Sequence, residues 1–192
     1  MRQEQRAITR RHLFDAALRL FRTQGFAETR IDQIIQAAGV AKGTFYVHFP
    51  TKDAVLAAYV DEITADLLPR MPQWLDLPTI DAIRHVFDAL NTYVERDRPF
   101  IWDVVRVELT GEPLDDQRPS ALAAILDPLI AQGQARGDIR VDVPRKALVQ
   151  HVLSNYLLAL AWALRHQEPL EAFMNQTFTL TWQGILHPVS SS

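Results

Sequence analysis

The sequence predicts an all-α protein, with an N-terminal head of three helices followed by a larger helical body. Three observations lead there. Apolar residues recur at three-to-four spacing along nearly the whole chain, which is the period of a helix face. Prolines fall at or just before the starts of the later segments, where a missing N–H costs least. Charge divides sharply: residues 1–52 carry nine Lys and Arg against four Asp and Glu, a net of +5, while residues 53–192 carry a net of −8. A basic head on an acidic body fits a unit for a polyanion joined to a unit with another task.

The helices follow in order. Over residues 8–21, Ile8, Leu13, Ala16, Ala17, Leu20 and Phe21 share one face while Arg10, Arg11, Asp15, Arg19 and Arg22 lie mostly off it. Gly25 supplies a stop. Thr29 is expected to cap a second helix with Asp32 as its acidic partner, and Ile31, Ile34, Ile35 and Ala38 give that helix a two-turn apolar face. Gly39 suits the left-handed residue that ends it. A third helix is expected over residues 42–49, because Pro50 blocks continuation. Phe45 and Phe49 lie on its inner side, Gly43, Thr44 and Val47 on the other, with Lys42, Tyr46 and His48 flanking.

Thr51 is placed to cap a fourth helix running to residue 68, after which Pro69, Pro72 and Pro78 break the pattern. Further helices are expected over 79–97, 99–109, 119–136 with a kink at Pro128, 144–166 and 169–186. The domain reading is therefore a three-helix head over 1–52 and a helical body over 53–192, with helix 51–68 connecting them.

Two short helices joined by a tight glycine turn make a helix-turn-helix, whose second helix enters the DNA major groove. Gly43 would let backbone N–H groups approach phosphate or base edges closely, and Lys42, Thr44, Tyr46, His48 and Lys52 are donors of different reach. The stretch AALRLFRTQGFAETRIDQIIQAAGVAKGTFYVHFPTKDAVL, within residues 8–60, resembles the DNA-binding head of tetracycline-repressor-like (TetR family) transcription regulators. The resemblance implies that Thr29 and Arg30 lie near a phosphate, that Lys42, Gly43 and Thr44 face the groove, and that Tyr46, His48 and Lys52 grip the DNA backbone. Two positions depart from the family pattern: Ala41 stands where a capping serine is frequent, and Arg30 where a small hydroxyl residue is.

The body carries weaker signals. Residues 147–166 are apolar nearly all round, and the final segment spaces Phe173, Phe178, Trp182, Ile185 and Leu186 with little charge between them. The resemblance implies that such final helices pair two copies of the chain, with Val149, Val152, Tyr156, Leu160, Phe178 and Trp182 as interface residues. It also implies a pocket for an unidentified small-molecule effector, for which Phe87, Tyr93, Trp102, Arg106, Asn155, Tyr156 and Trp162 are the aromatic and polar candidates. Arg106 is equally placed to pair with Asp103 or Glu108.

Other classes find little support. There is no nucleophile elbow, Walker loop, zincin or dinucleotide motif, and no cysteine, so no enzyme activity, cofactor or metal is expected. Asp115 and Asp116 sit in a loop, and His85 and His151 stand apart from other ligands. The absence of cysteine fits a reducing compartment. The charged N-terminus has no apolar segment behind it, and the longest nearly apolar run, 152–164, is shorter than the ~20 residues of a membrane span. The expectation is a cytoplasmic, ligand-responsive regulator, most simply a repressor, that binds a palindromic operator in double-stranded DNA as a homodimer, with no membrane partner. The competing reading is a chromosome-associated protein acting at many sites without an effector.

Overall fold

The computed structural model describes residues 2–110, 120–168, 177–179 and 181–182. Among these, every regular element is helical: α1 (Arg2–Gln24), α2 (Ile31–Ala38), α3 (Lys42–His48), α4 (Asp53–Leu67), α5 (Met71–Leu75), α6 (Thr79–Arg96), α7 (Arg98–Thr110), α8 (Ala123–Arg136) and α9 (Arg145–His166). The stretches 177–179 and 181–182 are also helical, within the expected last helix; the rest of that helix, and Asp115 and Asp116, lie outside the described residues.

The boundaries depart from expectation where local hydrogen bonds outcompete the sequence pattern. Thr29 does not cap α2. Its hydroxyl donates back to the Gly25 carbonyl at 2.7 Å and is buried, so the cap passes to Arg30, whose N–H donates to Gln33 Oε1 at 2.8 Å. Asp32 is thereby free to point outward. The prolines after α4 do not end helical geometry either: a 3-10 turn (Leu68–Arg70) leads into α5, with Pro69 and Pro72 in the first turns, where their missing N–H groups are tolerated. Thr51 Oγ1 accepts the Ala54 N–H at 3.1 Å, although the N-cap position of α4 falls on Lys52, one residue later than expected.

Gly39 takes φ +67° at the end of α2, and the Val40 N–H then reaches back to the Ile35 carbonyl at 3.2 Å. This left-handed residue sets the angle between α2 and α3. Phe45 and Phe49 anchor α3 against the head, both essentially inaccessible.

Head and body share one hydrophobic core. Phe21 of α1 packs edge-on against Phe26 at 5.0 Å and against Phe100 of α7 at 5.7 Å, and Phe100 meets Tyr59 of α4 at 5.2 Å. In the body, α9 packs against α8 and α7, and α6 against α8. By length and composition α9 is apolar enough to cross a membrane, yet its buried face, from Leu148 to Ala163, is spent on this core. Gly133 of α8 permits a close approach to α6: a Cβ there would fall 2.4 Å from Thr79 Oγ1 at the start of that helix.

Candidate nucleic-acid interface and effector cavity

The outer face of α3 is built from residues with no role in the core. Tyr46 and Val47 are about half or more exposed, and Lys42 and Gly43 lie fully on the surface beside partly covered Thr44. A Cβ on Gly43 would meet nothing within 4 Å, so packing within the chain does not demand glycine there. Ala41 opens α3 without a side-chain cap, leaving the first N–H groups of the helix pointing at solvent. Lys42 pairs with Asp32 at 3.1 Å across the turn, an exposed contact that a phosphate can displace.

A positive edge flanks this face from α1. Arg10 lies over the Phe49 ring at 4.8 Å, and burial, then the nearby charges of Arg6 and Arg10, hold the His48 imidazole below its usual pKa. Sequence reasoning placed Arg10 off the apolar face of its helix but did not connect it, or Arg6, to α3. Their link to His48 exists only in three dimensions.

The other expected DNA contacts divide. Arg30 is exposed at the start of α2. Thr29 has its hydroxyl committed inward. Lys52 is also engaged: its ammonium donates to the carbonyls of Phe26 at 2.6 Å and Thr29 at 2.9 Å, and lies 4.1 Å from the Phe26 ring centre. It clasps the loop between α1 and α2. Burial is the main reason its pKa is lowered.

Among the described residues, polar contacts tie this head and the connecting helix α4 to the rest of the body. Asp97, wholly buried at the end of α6, accepts from Arg22 of α1 at 2.6 and 3.2 Å, from Tyr59 of α4 at 2.6 Å, and from Arg96 at 2.7 and 2.9 Å. Arg106 of α7 donates to Asp53 at the start of α4 at 2.8 Å, with Asp103 at 3.6 Å, so its partners are Asp53 and Asp103 rather than Glu108 or a pocket. Arg11 of α1 bonds both Asp15 and Glu62 of α4.

Beneath these contacts lies an apolar cavity between α4, α6, α7 and α9, walled by residues such as Tyr59, Ile63, Val94, Val105 and Leu157, with Glu108 the one acidic residue among its described lining. Its water-accessible volume is about 40 Å³, room for a few waters only. Of the expected pocket residues, Tyr93 and Tyr156 line it. Phe87, Asn155 and Tyr156 line a smaller cleft beside Phe178 and Trp182, where Phe87 stacks on Tyr156 at 4.2 Å. Trp102 and Trp162 are instead about half exposed.

The expected interface residues are likewise redistributed. Val149, Val152, Tyr156, Leu160 and Trp182 are buried within a single chain, and Phe178 is partly buried, because they face α7, α8 and the last helical stretch. The outward face of α9 carries Leu158, 58% exposed, and Trp162, 52% exposed, at helical spacing with His151 and Asn155. Trp162, placed by the sequence reading in the pocket, belongs to this outer face.

An exposed recognition helix on a basic three-helix head, rigidly joined to a helical body, defines a helix-turn-helix transcription regulator. The sequence model of bacterial regulatory proteins of the tetR family matches residues 13–59. Over most of the chain, 26% of 185 residues are identical to the HTH-type transcriptional repressor DhaR of Mycobacterium sp. (strain GP1), covering 90% of this chain and 92% of DhaR. Over 113 residues the chain is 50% identical to the HTH-type transcriptional regulator AcrR of Shigella flexneri, covering 54% of this chain and 52% of AcrR. The fold matches that of FadR from Thermus thermophilus, a TetR family repressor solved with lauroyl-CoA, at a TM-score of 0.79 and 23% identity over 95% of this chain and 98% of FadR. Residues 13–59 thus carry the sequence of a tetR-family head, on a chain whose fold is that of FadR.

Proposed function

We propose that this protein is a dimeric, cytoplasmic transcriptional repressor released from a palindromic operator when a small, largely apolar molecule enters the cavity between α4, α6, α7 and α9. The observation that carries the reading is the double duty of α4: Tyr59 and Ile63 wall the cavity while Tyr59, through Asp97, is joined to Arg22 of the head. The cavity, partly open in this state, is too small for a ligand of more than a few heavy atoms. Binding therefore spreads the wall, and the state that accommodates the ligand is a different one from that shown here. If the two heads meet successive half-sites only in the unliganded state, operator affinity falls by the ratio of the ligand's affinities for the two states.

In this reading Lys42, Gly43, Thr44 and Tyr46 meet the groove, with Arg30, His48, Arg6 and Arg10 on phosphates, and Thr29 and Lys52 shape the turn rather than touch DNA. The outer face of α9 pairs the two copies. The lauroyl-CoA held by FadR supports an effector with an apolar body. The cavity and the ligand-bound relative weigh against a chromosome-wide binder with no effector.

Fluorescence anisotropy against the DNA flanking the protein's own gene and a shuffled control, at two salt concentrations, tests the reading. Tight binding to the native DNA alone, weakened by salt, is expected. Equal binding to both sequences would overturn a local repressor.

A further inference from the structure

Helices α2 and α3 carry one acid and one lysine between them, Asp32 and Lys42. The two are paired: Lys42 Nζ lies 3.1 Å from Asp32 Oδ1, across the turn at Gly39. Both side chains are mostly exposed, and neither has another hydrogen-bond or ion-pair partner among the described residues. Burial, then the charges of Arg6 and Arg10, keep His48 neutral at pH 7. The two helices of the helix-turn-helix are therefore without net charge, and the positive charge of the head lies on α1, Arg30 and Lys52.

Asp32 has no other visible task. The N-terminus of α2 is closed by Arg30 and Gln33, so the Asp32 carboxylate is not the cap. Its effect falls on Lys42. An ammonium has three N–H donors, of which the carboxylate takes one. The others can still reach a base edge, because guanine O6 and N7 are neutral acceptors that meet no repulsion from Asp32. A phosphate can take the place of Asp32 only by opening the pair against like charge. It must approach to well within the roughly 8 Å over which salt leaves charges unscreened, and it gains little from a cation already neutralised. Phosphate contacts position a protein on DNA of any sequence, whereas base contacts specify.

We infer that Asp32 is a positioning residue that reserves Lys42 for a base edge, raising sequence selectivity by weakening the hold on DNA of any sequence. The inference rests on α3 being the groove-facing helix and adds how that face discriminates.

Fluorescence anisotropy of the full-length protein across a salt series, on the DNA flanking its own gene and on shuffled DNA, tests this in a cycle of Asp32→Asn, Lys42→Met and the double variant. Asp32→Asn releases Lys42 to phosphate. Affinity for shuffled DNA should rise about threefold or more, its salt slope should steepen by about 0.9, and the preference for native DNA should fall about threefold or more. Lys42→Met should weaken binding to native DNA without changing the slope on shuffled DNA. The double variant should show the parent's slope there, which separates release of Lys42 from the mere loss of a negative charge. A structural role for Asp32 would move thermal stability and leave the slope alone. An unchanged slope or an unchanged preference in Asp32→Asn overturns the inference, as does a steep slope that survives in the double variant. A shallower slope in Lys42→Met also overturns it, by making Lys42 a phosphate contact already in the parent. Equal binding of the parent to both DNAs overturns the local-repressor reading itself, and the inference with it.

Discussion

The Tyr59 hydroxyl donates to Asp97 across 2.6 Å, and through that carboxylate a residue of the cavity wall is joined to Arg22 in the head. The joint is stiff because Asp97 is wholly buried and held by three side chains from α1, α4 and α6. A wall that moves carries α4 with it, and α4 carries Asp53, the residue that Arg106 grips from α7.

Tyr59→Phe keeps the ring against Phe100 and removes one hydrogen bond to a charged group, which costs about 1.5–3 kcal/mol. Operator binding without effector should persist. The effector's effect on operator affinity, commonly ~5–150-fold for such coupling, should shrink toward unity. Anisotropy with and without effector, beside urea unfolding, reads both. Lower stability with full effector response would make Tyr59 a core residue and nothing more.

Asp97 sets a pH dependence with a definite sign. Burial alone would raise its carboxyl, but hydrogen bonds from Arg22, Arg96 and Tyr59 together outweigh it and hold it below the usual range. A carboxyl depressed in the fold binds fewer protons folded than unfolded. Its contribution is therefore full above the unfolded value of about 4 and lost as pH falls toward the folded one. The urea midpoint should drop from pH 5 to pH 3, and more gently in Asp97→Asn. At pH 7 that variant should be less stable by about 3 kcal/mol at most, since Arg22 and Arg96 both reach solvent and can rehydrate. Parallel pH curves for the two proteins would assign the acid lability to other carboxylates.

The head was legible because its signals are local. The face of Ile34 and Ile35, the turn at Gly39 and the stop at Pro50 each act within a few residues, so the sequence places α2 and α3 to within a residue or two. The body was legible only as helices. Residues 145–166 are apolar on nearly every side, so composition could not say that Val152 and Leu160 turn inward while Leu158 and Trp162 turn out. That division is made by α7 and α8, distant in the chain. Lys52 shows the same limit: a lysine after a recognition helix reads as a phosphate contact, and its hydrogen bonds to the carbonyls of Phe26 and Thr29 exist only in three dimensions.

Lys52→Met tests the clasp. A phosphate contact would, on removal, lower the salt slope of operator binding by about one and leave folding alone. The clasp predicts an unchanged slope with a loss of stability of about 1.5–3 kcal/mol, the range for hydrogen bonds to a charged group, reduced by the partial solvation of Lys52. Salt titrations of operator affinity and thermal unfolding distinguish the two.

Gly43→Ala should separate folding from binding. The added methyl meets nothing within 4 Å, and alanine in an exposed helical turn is favoured over glycine by up to about 1 kcal/mol. The variant should fold at least as stably as the parent. It should bind operator about tenfold or more weakly, a loss of ~1.4 kcal/mol or greater, because the methyl stands where backbone must approach DNA. Undiminished operator affinity would move the groove-facing surface away from the start of α3.

Leu158→Glu addresses the pairing of two copies. Leu158 and Trp162 are exposed in the single chain and Trp162 stacks on His166 at 4.1 Å, so a charge at position 158 meets solvent in the monomer and disturbs no core contact. In a dimer joined through the outer face of α9 the same carboxylate is buried without a partner, a cost of about 3 kcal/mol per copy or more. The dimer dissociation constant should rise at least about a hundredfold while the far-ultraviolet helix signal is unchanged. Sedimentation velocity across a concentration series reads the first quantity and circular dichroism the second. Operator affinity should fall with dimerisation, because a lone head contacts only one half-site. A Leu158→Glu protein that remains dimeric at nanomolar concentration would place the interface on another face.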